Sequence, residues 1–154
     1  YNNFHIYKYM GIPIKNNKNR IKKGKNTTKS SLHKRKTDKI RYLIRKITKK
    51  YPKIKQKIKN IKDLDKKLYY AMVWEVTELQ PLHILENSDK RGWKNHHLDH
   101  IYPISMGYKE KIPPEKVGNI KNLRFIHYTE NLDKGSKITN ESRNALRRIK
   151  RLKK

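Results

Sequence analysis

Three residues in the second half of the chain could together hydrolyse a phosphodiester bond. Asp99 and His100 are adjacent in the stretch HHLDHIYP, and Asn131 lies in YTENLDKG. A histidine whose pKa is near neutrality can activate a water molecule as a general base. Oxygens of Asp99 and Asn131 could hold a divalent cation, which would neutralise charge at phosphorus. Two oxygen ligands favour Mg²⁺ over zinc, which prefers imidazole or thiolate ligands.

Two short strands and a helix would have to position these residues. HLDHIYP is short, apolar-rich and ends at a proline, and Leu123–His127 is a second strand candidate. Glycines and prolines between the two predict a long loop. Thr129 is a candidate cap for a helix whose first turn contains Asn131. Neighbouring strand residues point to opposite faces, so Asp99 and His100 can share a site only if the strand twists or ends there.

This stretch resembles the HNH, or ββα-metal, endonuclease family, especially its phage and homing members. The resemblance rests on DHIYP, NLRFI and ENLDKG in that order within residues 93–137, and for phage members it extends back to about Tyr69. It implies an endonuclease or nickase that hydrolyses phosphodiester bonds in double-stranded DNA. It also implies a location where such DNA is present: the cytoplasm of a bacterial or phage-infected cell, or a nucleic-acid-containing organelle.

The resemblance assigns a role to each motif position. Asp99 and Asn131 would bind one divalent ion, Mg²⁺ or Mn²⁺, and His100 would be the general base. Asn122 would brace the loop between the strands and help to orient His100. The chain has no cysteine, so the paired-cysteine zinc ribbon of many members is absent and no structural zinc is expected. Packing of four aromatic residues is expected to replace it: Trp93, Tyr102, Phe125 and Tyr128.

Two alternative roles stay open for each of the other polar residues near the motif. His97 is expected behind the metal ligands or facing nucleic acid, and His96 at the surface. The alternative is a zinc site formed by four histidines: His96, His97, His100 and His127. Lys134 and Lys137 are expected to contact phosphates, and the alternative for them is a solvated helix face.

A net charge of +28 in 154 residues is the main compositional feature. Such a charge repels itself in a compact chain, and each phosphate that Lys or Arg neutralises releases a counterion. Nucleic acid is therefore the expected partner, whereas no apolar run near 18 residues predicts a membrane span. Neither a small-molecule cofactor nor a signal peptide is indicated. Charge alone also fits the alternative, a non-catalytic ribonucleoprotein or ribosomal-type binder built on an HNH fold.

The first part of the chain, residues 1–62, is expected to bind nucleic acid. Residues 15–37 are almost entirely polar or basic, which predicts a flexible arm, with a solubilising tail as the alternative. Apolar residues at helical spacing then predict a basic helix that begins at Asp38 and is broken or restarted at Pro52.

The remaining chain is expected to form a small α+β fold in three parts. Residues 63–92 predict a helix from about Leu64 to Leu79, favoured over a strand by its length, and a connector. Trp74 in this helix would anchor the core. Residues 93–138 would be the ββα-metal module, and residues 139–154 a basic helix. Two arginines of the last helix are expected to contact nucleic acid: Arg143 and Arg147.

Overall fold

Helices make up the first half of the part of the chain that the computed structural model describes, residues 29–152. The helices are α1 (Lys29–Lys50), α2 (Pro52–Ile58) and α3 (Leu64–Glu78). The arm predicted for residues 15–37 is wrong in its last part, which belongs to α1, while residues 15–28 lie outside the described residues. Asp38 therefore lies inside the helix and not at its start. Lys and Arg are good helix formers, and the buried Ile40 and Ile47 anchor the helix, so it extends upstream of the apolar stripe.

Two sequence signals set the boundaries of α2 and α3. Pro52 occupies the start of α2, where its missing N–H costs nothing, so the predicted restart is confirmed. At α3, the Asp63 carboxylate accepts a hydrogen bond from the Lys66 backbone N–H at 2.6 Å. The helix predicted over about Leu64 to Leu79 is confirmed.

The sheet has two antiparallel strands, β1 (His96–His100) and β2 (Leu123–His127). In its register Asp99 lies opposite Arg124. Both strand predictions are confirmed. β2 leads directly into α6 (Tyr128–Lys134), whose N-cap position is held by His127 without a side-chain cap. Thr129 is therefore not the cap; it lies in the first turn, because the helix begins as soon as the strand ends.

Short helices replace most of the loop predicted between the strands. They are α4 (Ile104–Lys109), α5 (Pro114–Val117) and a 3-10 turn, Ile120–Asn122. Helices of six and four residues have too few internal hydrogen bonds to be stable alone, so packing creates them. A Cβ on Gly118 would lie 2.6 Å from the Val73 carbonyl oxygen of α3. This glycine therefore permits close packing between the connection and α3.

The core lies between α1, α2 and α3 on one side and α4, α5 and α7 (Asn140–Lys150) on the other. Trp74, Tyr102 and Phe125 are buried and Tyr128 is half-buried, but Trp93 is 85% exposed. The predicted packing role of Trp93 is therefore wrong, because its turn before β1 lies at the surface and Trp74 of α3 fills the core. The described chain is thus a small α+β protein, mostly helical with one two-stranded sheet. Within residues 29–152, no helix combines the length and the apolarity that crossing a bilayer requires.

Candidate functional site

The end of β1 and the helix α6 line one open cavity of about 240 Å³. Its lining includes Asp99, His100 and Asn131. Asp99 and His100 are the last two residues of β1, paired in register with Arg124 and Leu123, and both are buried. The structure therefore brings together the three residues that the sequence singled out.

Hydrogen bonds fix the protonated nitrogen of the His100 ring. Thr77 of α3 donates its one hydroxyl hydrogen to the Val73 carbonyl oxygen, at 2.8 Å. Its oxygen lies 2.9 Å from His100 Nε2 and must accept, so Nε2 carries the ring proton. Nδ1 is then the nitrogen with the free lone pair. The Trp74 ring packs edge-on against the imidazole, with the ring centroids 4.9 Å apart, and so restricts its rotation.

His100 is neutral at physiological pH because it is almost completely enclosed. Burial lowers its pKa from 6.5 to about 3; the Asp99 charge opposes this shift, and Lys134 and Lys57 add to it. The residue keeps 6% of its surface exposed and lines the cavity. A neutral imidazole with its lone pair on Nδ1 can accept a proton, but a pKa this far below neutrality makes His100 a weaker base than the sequence predicted.

Asp99 is held between two cations. Lys134 Nζ donates to Oδ1 at 2.6 Å, and Arg124 Nε donates to Oδ2 at 3.0 Å. Arg124 is itself bound through Nη1 to both carboxylate oxygens of Glu141, at 2.8 and 2.6 Å. A carboxylate offers about four acceptor positions, so these two bonds fix Asp99 and leave one position on each oxygen.

Lys134 does not reach toward solvent, as a phosphate contact would require. Its Nζ is buried and also donates to the His100 carbonyl oxygen at 2.7 Å. The expected phosphate contact of Lys134 is therefore wrong in this structure: the buried Asp99 carboxylate requires a cation nearby, and Lys134 supplies it.

The side-chain amide of Asn131 is hydrogen-bonded to His97. Its Nδ2 donates to His97 Nδ1 at 3.3 Å, and His97 Nε2 donates to the Trp93 carbonyl oxygen at 2.8 Å. His97 thus lies behind Asn131 and orients it. Asn131 and Asp99 line the same cavity, and each has a side-chain oxygen of the type that Mg²⁺ or Mn²⁺ binds.

The histidines do not converge on a second metal position. His100 faces Thr77 and His97 faces Asn131, while His96 binds Asn95 and His127 binds Thr129. Across residues 29–152, no group of three or more His, Asp or Glu side chains could hold a metal. The structure therefore does not bring these four histidines together.

Asn122 ties the connection between the strands to the end of β1. Its fully buried Oδ1 accepts from Tyr102 N at 2.8 Å, and its Nδ2 donates to the carbonyl oxygens of Tyr102, at 3.1 Å, and Val117, at 2.7 Å. Its own carbonyl oxygen accepts from Ile101 N at 2.8 Å. Asn122 makes no hydrogen bond to His100; it acts on the backbone that follows His100.

The remaining predicted contacts lie outside the cavity. Lys137, Arg143 and Arg147 are exposed beyond α6 and along α7. The two arginines bind asparagines one turn earlier on their own helix, Arg143 at 2.9 Å and Arg147 at 3.4 Å. Their guanidinium groups therefore remain accessible to an external anion.

Sequence reasoning missed two residues that hold the site. Thr77 is a polar residue on the buried stripe of α3, one turn after Val73, and that position was its available signal. Arg124 interrupts the apolar strand LRFIH opposite Asp99, so strand register would have paired the two charges. Comparisons of the chain with protein-family models, with curated proteins and with solved structures found no match.

Proposed function

We propose that this chain is a metal-dependent endonuclease or nickase of the HNH, or ββα-metal, type that hydrolyses phosphodiester bonds in double-stranded DNA. The observation that carries the proposal is the shared cavity at the end of β1. There a neutral histidine with a free Nδ1 lies beside an acidic and an amide oxygen donor, Asp99 and Asn131. A net charge of +28 supplies attraction for the polyanionic substrate.

His100 is the proton acceptor in this proposal. Nδ1 takes a proton from the attacking water, while the Nε2–H bond to Thr77 keeps the ring in one tautomer and one orientation. The imidazolium so formed lies beside Asp99, whose charge favours it. His100 becomes a stronger base only as its pKa rises in the complex: an approaching phosphate acts in that direction, and the charge of a bound cation acts against it.

Asp99 and Asn131 would hold one Mg²⁺ or Mn²⁺ ion, which when bound supplies positive charge at the scissile phosphate and at the leaving oxygen. Arg124 and Lys134 keep the Asp99 carboxylate in place before substrate arrives. His97 does the same for Asn131. The chain's own hydrogen bonds therefore order both ligands in advance.

A second candidate function is a non-catalytic binder of nucleic acid, such as a ribonucleoprotein component. The exposed cations outside the cavity favour it, because phosphate contacts by Lys137, Arg143 and Arg147 need no chemistry. Binding without cleavage would distinguish this candidate from the nuclease.

Incubation with supercoiled plasmid, in Mg²⁺ or in EDTA, tests the proposed function. We expect nicked or linear product only with Mg²⁺, and its loss by about 10²–10⁴-fold in His100→Ala. His83→Ala is the matched control, because His83 is exposed and lies outside the cavity. Retained binding without any cleavage by the unaltered chain would favour the non-catalytic candidate, and full activity of His100→Ala would remove His100 from the mechanism.

A further inference from the structure

A second, larger cavity of about 520 Å³ adjoins the candidate catalytic cavity. We call it the basic cleft and define it by six of its lining residues: Lys53, Lys57, Trp74, Arg91, Trp93 and His97. Four residues line both cavities: Lys57, Trp74, Leu98 and Asn131. The two cavities are therefore neighbours, and a ligand in the basic cleft would lie beside Asn131.

The cations of the basic cleft have no acidic partner. Among the described residues, no ion pair involves Lys53, Lys57 or Arg91. Lys57 lies over the Trp74 ring, with its Nζ 4.9 Å from the centroid. The Lys57 pKa is lowered, mainly by burial and next by the charge of Arg91, while the charge of Glu78 opposes the shift. An anion with several charges would relieve this repulsion.

Trp93 gives the cleft an aromatic face. It is 85% exposed, and the nearest aromatic ring, that of His97, has its centroid 6.4 Å away. The backbone below it is fixed, because His97 binds the Trp93 carbonyl oxygen and Gly92 N donates to the His96 carbonyl oxygen at 3.1 Å. An exposed indole on a hydrogen-bonded turn, among cations without ion pairs, has the composition of a surface that stacks nucleobases and binds their phosphates.

We propose that the basic cleft binds a nucleic-acid strand at an unpaired nucleotide, whose base stacks on Trp93 while Lys53, Lys57 and Arg91 bind the neighbouring phosphates. An unpaired base is required because the faces of a base inside a duplex are already covered by its neighbours. The inference rests on the proposed function for its substrate class and narrows it to duplexes with an unpaired nucleotide. His97 joins the Trp93 backbone to Asn131, so a strand held in the cleft lies next to the proposed metal ligand.

The test compares, in EDTA, the affinity of the protein for a labelled duplex with its affinity for the same duplex carrying one unpaired adenine. We expect the unaltered chain to prefer the unpaired form by about 5- to 150-fold, the value of one stacked base. Trp93→Ala should remove this preference, and Trp93→Phe should keep part of it. Tyr42→Ala is the matched control, because Tyr42 is an aromatic residue 59% exposed on α1 and lies outside both cavities.

Lys53→Ala and Arg91→Ala should weaken binding to both duplexes alike. Each should flatten the slope of log affinity against log salt by about 0.9, because each removes one phosphate contact. Equal affinity of the unaltered chain for both duplexes, or a preference that survives in Trp93→Ala, overturns the inference. Cleavage of both duplexes in Mg²⁺ without that preference overturns the inference while leaving the nuclease intact. Preference without cleavage of the duplex that carries the unpaired adenine supports the cleft and contradicts the nuclease.

Discussion

Acid should destabilise the metal-free protein through one side chain, His100. Burial lowers its pKa from 6.5 to about 3 in the folded chain. Between these values the unfolded chain binds a proton that the folded chain does not, so the free energy of unfolding falls as the pH falls. Above 6.5 the ring is neutral in both states and contributes no pH dependence.

The size of this loss in the free energy of unfolding follows from the shift in the His100 pKa. Each pH unit below the ordinary pKa costs about 1.4 kcal/mol, so at about pH 5 the loss is about 2 kcal/mol. Domains of this kind have a total stability of about 5–15 kcal/mol, so the loss is readily measured. The side chain is almost fully enclosed, and solvent screening does not reduce the effect much.

Urea unfolding in EDTA at about pH 8 and about pH 5 measures this loss in the free energy of unfolding. Other titrating groups contribute equally to the unaltered chain and to His100→Gln, whose amide stays neutral and can donate to Thr77. The drop between the two pH values should be about 2 kcal/mol larger in the unaltered chain. His83→Gln, a substitution of an exposed histidine, is the control and should behave like the unaltered chain. The same pH dependence with and without His100 would refute the reasoning.

Three further substitutions test other contacts. Thr77→Val removes the acceptor that fixes the His100 tautomer. Single-turnover cleavage should slow by about 10- to 100-fold, with unchanged DNA affinity. An unchanged cleavage rate would argue against positioning of His100 by Thr77. Lys134→Met leaves the buried Asp99 carboxylate with one cation fewer, and urea unfolding should show that the free energy of unfolding falls by about 3–5 kcal/mol. A fall below about 1 kcal/mol would mean that the ion pair is dispensable for stability. Gly118→Ala forces a Cβ against a carbonyl oxygen of α3 and should cost about 1–3 kcal/mol. Gly92→Ala, with its nearest atom 3.6 Å away, should cost less, and equal costs would contradict the close packing.

The parts of the fold that the sequence predicted well are those with strong local patterns. The strand Leu123–His127 is an apolar run that follows turn residues, and its bounds were predicted without error. Pro52 marks the start of α2 through its own chemistry, because its missing N–H costs nothing there. The convergence of Asp99 with Asn131 was predictable as a motif, although the spacing alone did not show that β1 ends where it must.

The parts that were not predictable depend on contacts between distant segments. α5 and α4 are too short to have a helical pattern of their own, and α3 stabilises them by packing. Trp93 has an apolar ring, which predicts burial, yet no described element covers its turn. Thr77 acts through a partner 23 residues away, and one residue's type carries no information about such a partner.

For the proposed metal site, the pairing of Lys134 with Asp99 would separate folding from metal uptake. A buried carboxylate with no cation would strain the fold, and in many small metal sites the ion itself relieves that strain, so that chelators unfold the protein. Here an ammonium group built into α6 provides the compensating charge at 2.6 Å. A chelator would therefore stop a reaction that needs the ion while the protein stays folded, and metal could be removed and restored in one sample as a reversible switch.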